Sequence, residues 1–357
     1  MKDNYKGILG ILFLIATAIA CNKATNQPGG NSLNNTEETV IKDFVNEVAL
    51  SQYNSLVQAA TNLDQALNTL NANPTDANLL AAQNTWRTIR SRWEQCEGFL
   101  FGPVEDQDYD PNTDTWPTDY TQMDSLLASN NPLQPADIRI LPQSLRGYHP
   151  IEYIIFGVGG SRTATSLTSR EKQYMLGLSA DLLNNNVQPL YDSWASAPTN
   201  YADEVMNAGK GSKSFATRKE LFLVMVSAMS DICEEVGAGK MLEPFAAKDS
   251  TITESPYSGN TLTDFKDNII GLQTVYVGAN GSAGLKELVA AKNKSLDNQI
   301  RNQISTAINS FDNITLRYEQ AIFDQRVQIQ QTMDQLAMLK NLLENDLTDF
   351  IKQNVKD

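Results

Sequence analysis

The sequence predicts an all-α protein built from two helical bundles packed together, with a long irregular loop ahead of a Gly-Tyr-His-Pro-Ile-Glu segment. Three observations carry this expectation. Apolar residues recur at helical spacing along most of the 357 residues, no comparable set of alternating strand patterns intervenes, and the irregular stretch at 101–146 is too long for an ordinary connection.

The chain opens as a targeting signal. Lys2 and Lys6 flank a short positive region, and Ile8 to Ala20 forms an apolar run ending Ala18-Ile19-Ala20-Cys21. That run is too short to span a bilayer and has the length of a signal-peptide core. Residues 1–20 therefore read as a lipoprotein signal peptide, with Cys21 as the lipidated residue of a lipobox. Residues 21–35, polar and rich in Asn and Gly, read as a flexible tether. No later segment is apolar enough to cross a membrane, so attachment through lipid on Cys21 is expected. Asn22 is not a retention-type aspartate, which favours the outer membrane, at its periplasmic face or the cell surface.

The first bundle is expected over 36–200. Thr36 with Glu37 and Glu38 starts a helix, and Val40, Ile41, Phe44, Val48, Leu56, Leu63, Leu67 and Leu70 follow at helical spacing. Pro74-Thr75-Asp76 ends it and caps a second helix running to about Leu100. Residues 101–146 are rich in Pro, Asp and Asn and short on periodicity. Helical patterning resumes at Pro150 and again from Ser169 to about Ala195. The second bundle, 201–357, holds a helix from about Ala216 to Val236 closed by Gly237, Gly239 and Pro244. A further helix spans about 263–276, and two long helical segments fill 295–355.

The formal charge is −14, and removing the signal, with two lysines and one aspartate, makes it −15. So acidic a surface repels phosphate backbones and argues against nucleic-acid binding. Beyond Cys21 there are only Cys96 and Cys233, both among apolar residues in helical patterns and read as buried free thiols.

Chemistry concentrates around one imidazole. His149 is the only histidine. Pro150 favours the first turn of a helix, which puts His149 and Glu152 on one face of that turn. Such a pair is a cation-binding or acid–base arrangement in outline; a helix cap uses the same residues. On the second helix, Arg90 and Glu97 fall on the stripe of Trp86, Ile89, Trp93, Cys96 and Leu100. Buried charge there requires pairing, either an Arg90–Glu97 bridge or a polar pocket faced by Glu97. Asp231 and Glu235, and Asp264 with Asn268, lie at the margins of apolar helix faces and read as solvated edges. Cys96-Glu97 and Cys233-Glu234, each near a helix end, hint at an old duplication. Asp106, Asp108, Asp110, Asn112 and Asp114 alternate like a calcium loop. Pro111 and Pro117 stand where such a loop needs glycine and its bidentate glutamate, so the stretch reads as a solvated acidic loop. Gly209 to Gly211 lacks the context of a phosphate-binding loop.

Three blocks then resemble the imelysin family of bacterial lipoproteins, also called the imelysin-type peptidase family. Gly147-Tyr148-His149-Pro150-Ile151-Glu152 matches its GxHxxE signature. Trp86 to Val104, with Arg90, Trp93, Glu97, Phe99, Phe101, Gly102 and Pro103, resembles its upstream block. Glu254-Ser255-Pro256-Tyr257-Ser258, with Asn260-Thr261 and Asp264, resembles its downstream block. The resemblance implies an all-helical fold with a site near the junction of two bundles, and a part in bacterial iron acquisition, holding a metal ion or an iron-bearing ligand such as haem or another chelate, with iron-transport partners. By position it implies His149, Glu152 and Glu97 as metal ligands, with Arg90, Asp231, Glu254, Ser255 and Asp264 near the ligand or behind the metal-binding residues.

Two alternatives stay open. A metallopeptidase would use His149 and Glu152, although a catalytic zinc usually takes three ligands and the inverted HxxEH motif needs a histidine where Tyr153 stands. One imidazole among carboxylates suits a harder cation, including iron, better than hydrolytic zinc. Enzymatic activity is therefore not the leading expectation. The second alternative is an envelope scaffold or adhesin in which HxxE is purely structural.

Overall fold

Helices make up the regular structure of residues 30–356, the part of the chain that the computed structural model describes, and among the described residues there is no strand. The expected signal peptide and the expected lipidation site, Cys21, lie outside the described residues. The first helix, Gly30–Asp43, begins inside the expected tether, six residues before Thr36. Leu33 explains the extension: it is buried against the core, so the chain gains apolar burial by turning helical early. This helix runs on through a wider π-helical turn, Phe44–Ala49, into Leu50–Ala72.

Asn73 and Pro74 stop that helix, and the Thr75 side chain caps the next, Asp76–Cys96, by accepting from the Asn78 N–H at 3.2 Å. A 3-10 turn, Glu97–Phe99, ends it at the expected place. The irregular stretch carries short helices, at Pro103–Asp106, Tyr109–Thr113, Tyr120–Ala128 and Pro135–Ile138, before the motif helix Tyr148–Phe156. Ser169–Asp181 starts with a capping box between Thr168 and Glu171 and continues to Ala195 through a second π-helical turn.

In the second half, Arg218–Glu234 is capped by Thr217. Gly237, Gly239 and Pro244 do not close it, contrary to expectation. The chain passes through a π-helical segment, Glu235–Met241, into Leu242–Ala247. The wider turn absorbs the glycines, and Pro244 falls in the first turn of the following segment, where no N–H is needed. Thr261–Val277, Lys294–Ser310 and Arg326–Asn341 complete the frame, the last running on to Asn354.

Helix Thr261–Val277 packs directly on Asp76–Cys96 and its 3-10 turn, which joins the two halves. Glycine permits the approach. A Cβ on Gly98 would lie 2.4 Å from the Gly271 carbonyl carbon, and one on Gly271 would lie 2.3 Å from the Gln95 carbonyl oxygen. Buried apolar residues from both halves form one continuous cluster. In the first half it centres on Phe44, Tyr53, Phe99, Phe101 and Trp194, and Tyr201 at the start of the second half joins it, with the Trp194 and Tyr201 rings 4.9 Å apart. Cys96 and Cys233 are both free and buried. The suspected duplication finds no support in their neighbours, since Glu97 is buried and Glu234 exposed.

Candidate functional site

Three segments converge on the buried face of Asp76–Cys96: the loop ending at Asp114, the motif helix and residues 253–264. Each is held by a specific local device. The Trp86 indole N–H donates to the Tyr148 carbonyl at 3.0 Å, fixing the start of the motif helix. Gly147 has φ +78°, and a Cβ there would stand 1.9 Å from the Thr113 carbonyl oxygen. Only glycine lets the motif approach the acidic loop this closely. Glu152 accepts from the backbone N–H groups of Tyr257 at 3.1 Å and Ser258 at 2.7 Å, so the motif helix is tied to the downstream block through a single carboxylate oxygen.

Arg90 lies at the centre, fully buried. Its guanidinium donates to Glu94 and Asp114, reaches Glu254 Oε1 at 3.0 Å and lies 3.8 Å from Asp264 Oδ1. Its nearest acidic partners are thus not Glu97: the i,i+4 spacing to Glu94 wins over the longer step along the stripe. Glu97 instead accepts from Asn268 at 2.6 Å and lies 3.9 Å from the Lys240 ammonium.

His149 stands among these acids. Its Nε2 is 3.0 Å from Asp114 Oδ1 and 3.6 Å from Glu254 Oε1, and its Nδ1 is 3.7 Å from Glu152 Oε2. The approach directions make no hydrogen bond, so both ring nitrogens, Glu152 Oε2 and Glu254 Oε2 are buried polar atoms without a partner. Unpaired buried groups are costly and call for a ligand or ion.

The remaining assigned residues divide. Ser255 Oγ donates to Asp264 Oδ2 at 2.6 Å, and Asn260 donates to Asp264 Oδ1 at 2.6 Å. Asp264 and Asn268 are therefore fully buried members of the site rather than a solvated edge. The expectation of a solvated acidic loop also fails at its last residue: Asp114 is buried between Arg90, His149 and the Trp93 indole N–H, which donates to it at 2.8 Å. Asp231 is exposed and accepts from Ser227 at 3.1 Å, away from the cluster. Sequence reasoning missed Asp114, Glu94 and Lys240 as site residues. The Arg90–Glu94 spacing was a usable signal for one of them and the alternating acidic run marked Asp114, but nothing local marked Lys240.

Charge is unevenly held. Burial resists ionisation of Asp114, yet Arg90 and His149 beside it keep its carboxyl well below the usual range. Burial pushes Glu94 up to about 8 and Asp264 up to about 7, in each case against the pull of Arg90. Burial and the neighbouring Glu94 hold Glu97 well above its ordinary value. For His149, burial opposes the charged form, but the Asp114 and Glu152 carboxylates outweigh it and raise the imidazole to about 10. The carboxylates thus favour the protonated ring, against the opposing charge of Arg90.

Ligand atoms of Asp114, His149 and Glu254 lie within 4.8 Å of one another, as do those of Glu94, Glu97 and Asp114. The first set fits a metal cation: one nitrogen and two carboxylates, with partnerless lone-pair atoms on His149 and Glu254. A cleft of about 380 Å³, lined by Asp110, Pro111, Asp114, Thr115, Trp116, Gln143, Glu235, Gly239 and Lys240, leads from the surface to Asp114.

Comparison with known proteins gives this arrangement a context. The family profile described as Imelysin matches residues 49–344. The chain is 32% identical to iron-regulated protein A of Synechococcus elongatus over 273 residues, 75% of this chain and 73% of that protein. Its fold is similar to the crystal structure of a candidate iron-regulated protein A precursor from Parabacteroides distasonis, with TM-score 0.82 and 25% identity, covering 92% of this chain and 97% of that one. It also resembles an imelysin-like protein from Psychrobacter arcticum, with TM-score 0.71 and 12% identity, covering 89% and 96% of the two chains.

Proposed function

The chain belongs to the imelysin family, and from that premise we propose that it is an iron-related envelope protein that binds a metal cation between Asp114, His149 and Glu254. The single observation that supports this most is the convergence of three buried ligand atoms within 4.8 Å, with both His149 nitrogens lacking a hydrogen-bond partner. Glu254 keeps Oε2 uncommitted while its Oε1 serves Arg90. In this reading Glu152 orients His149 rather than leading the ligand set, and Glu97 stands behind the centre beside Lys240.

Nitrogen with carboxylate oxygens suits Fe(II), Mn(II) or Zn(II). The acidic walls of the cleft, Asp110, Asp114 and Glu235, favour a hydrated cation over a haem or an anionic chelate. Lipid attachment through Cys21 at the outer membrane, and delivery of the cation to iron-transport partners, complete the proposal. They rest on the N-terminal sequence and on the iron-regulated relative.

A peptidase is less well supported. Glu152 already accepts two backbone hydrogen bonds through Oε1, which leaves it poorly placed as a general base, and Arg90 takes one oxygen each of Asp114 and Glu254. A purely structural HxxE accounts for the Glu152 ties but not for the two His149 nitrogens without a hydrogen-bond partner. Metal analysis and titration calorimetry of the purified chain with Fe(II) and Zn(II), compared with His149→Ala, test the proposal. Absence of uptake of either ion at micromolar concentration overturns it.

A further inference from the structure

Lys240 is the one lysine of the cluster, and the reading above gives it no task. Its side chain is 6% exposed. The ammonium lies 3.0 Å from Glu235 Oε1, 3.5 Å from Glu254 Oε1 and 3.9 Å from Glu97 Oε2. Backbone geometry explains its position. Glu235 and Lys240 are the first and sixth residues of the π-helical segment Glu235–Met241, and the i→i+5 turn stacks them on one side of the helix. Both line the cleft that leads to Asp114, where the Glu235 side chain is 46% exposed and Lys240 is buried.

We propose that Lys240 is a resident counter-cation which stands across the cleft's route to the Asp114–His149–Glu254 centre, and that an incoming metal ion must displace its ammonium toward Glu235. This rests on the metal-binding reading above. The electrostatics follow from the distances. A cation on Glu254 removes the negative charge that holds Lys240 inward, and the two positive charges then repel. Glu235 is already the nearest acid and lies on the solvent side, so the ammonium has a partner to move with. The exchange is a displacement without bond making or proton transfer in the lysine.

The same device selects among cations. A monovalent ion carries no more charge than the ammonium and lacks its three directed donors, so it gains little by replacing it. A divalent ion brings twice the charge and can take a His149 nitrogen. Lys240 thus excludes sodium and potassium and sets the threshold affinity for divalent metals.

The test compares the full chain with Lys240→Met and Lys240→Arg, titrated with Fe(II), Zn(II) and potassium salts, with melting temperatures recorded with and without metal. Lys240→Met is expected to bind divalent ions about tenfold more tightly or better, with weaker discrimination against potassium, while Lys240→Arg stays near wild type. The melting-temperature gain on adding Zn(II) should widen in Lys240→Met, a change that a merely structural lysine would not produce. Wild-type binding with an unchanged or weakened Lys240→Met overturns this inference and leaves the metal centre standing. Absence of binding in every protein overturns both. Binding by Lys240→Met alone would mean that metal does not displace the wild-type lysine, and overturns this inference.

Discussion

Asp114 Oδ1 stands 3.0 Å from His149 Nε2, although one residue caps the end of the short helix Tyr109–Thr113 and the other lies in the first turn of Tyr148–Phe156. The same carboxylate receives Arg90 and the Trp93 indole, so it joins the charge network to the imidazole. Among the described residues, no other acid touches the arginine, the tryptophan and the histidine together. Asp114, rather than Glu97, is the hinge of the candidate site.

Asp114→Asn keeps the shape and removes the charge. It is expected to weaken Zn(II) or Fe(II) binding by about 100-fold or more, and to lower stability by about 3 kcal/mol because Arg90 loses a buried partner. Calorimetry and urea denaturation measure the two effects separately. Glu97→Gln should affect metal affinity far less, and equal losses in the two variants would contradict the assignment of Asp114.

Glu152 gives a cleaner separation of holding from binding. Glu152→Gln retains a carbonyl oxygen able to accept from the Tyr257 and Ser258 amides, so its melting temperature should remain close to wild type while metal affinity falls. Glu152→Ala removes both ties and should cost about 2–3 kcal/mol in chemical denaturation. If the two variants melt alike, the backbone ties do not hold the helix.

Gly147→Ala places a Cβ against the Thr113 carbonyl at a positive φ. Destabilisation of more than about 2 kcal/mol is expected, together with loss of metal binding, since the motif must retreat from the loop that carries Asp114. A variant as stable as wild type would mean that the close approach is not required.

Stability of the metal-free protein should depend on pH through His149. Its folded value of about 10 exceeds the ordinary 6.5, so the native state binds the proton more tightly than the unfolded chain. The stabilisation is complete below pH 6.5 and is lost as pH rises through about 10. Glu94, raised from 4.5 to about 8, and Asp264, raised from 3.8 to about 7, act in the same direction at lower pH. Urea denaturation at stepped pH should therefore give stability falling between pH 7 and 10, with a shallower fall above pH 8 in His149→Gln. Metal must displace the imidazole proton, so affinity should rise over the same interval. An affinity independent of pH would exclude His149 as a ligand.

What the sequence determined by itself is set by local rules. Helical spacing of apolar residues, the Thr75 cap and Pro150 in a first turn depend on neighbours within about one helical turn, and these features formed where expected. The three blocks that resemble the imelysin family likewise pointed to His149, Glu152, Glu254 and Asp264, and the structure brings these residues into one buried cluster. The tertiary structure decided the partners. Asp114 and Lys240 carry no local mark of burial, because an acidic loop residue and a lysine near glycines are ordinarily solvated. They are buried because Gly147 and the π-helical turn bring the backbone close, and because Arg90 and the surrounding carboxylates offset the lost hydration. Charge pairing across space has no period along the chain, so only the packed helices determine which acid meets which base.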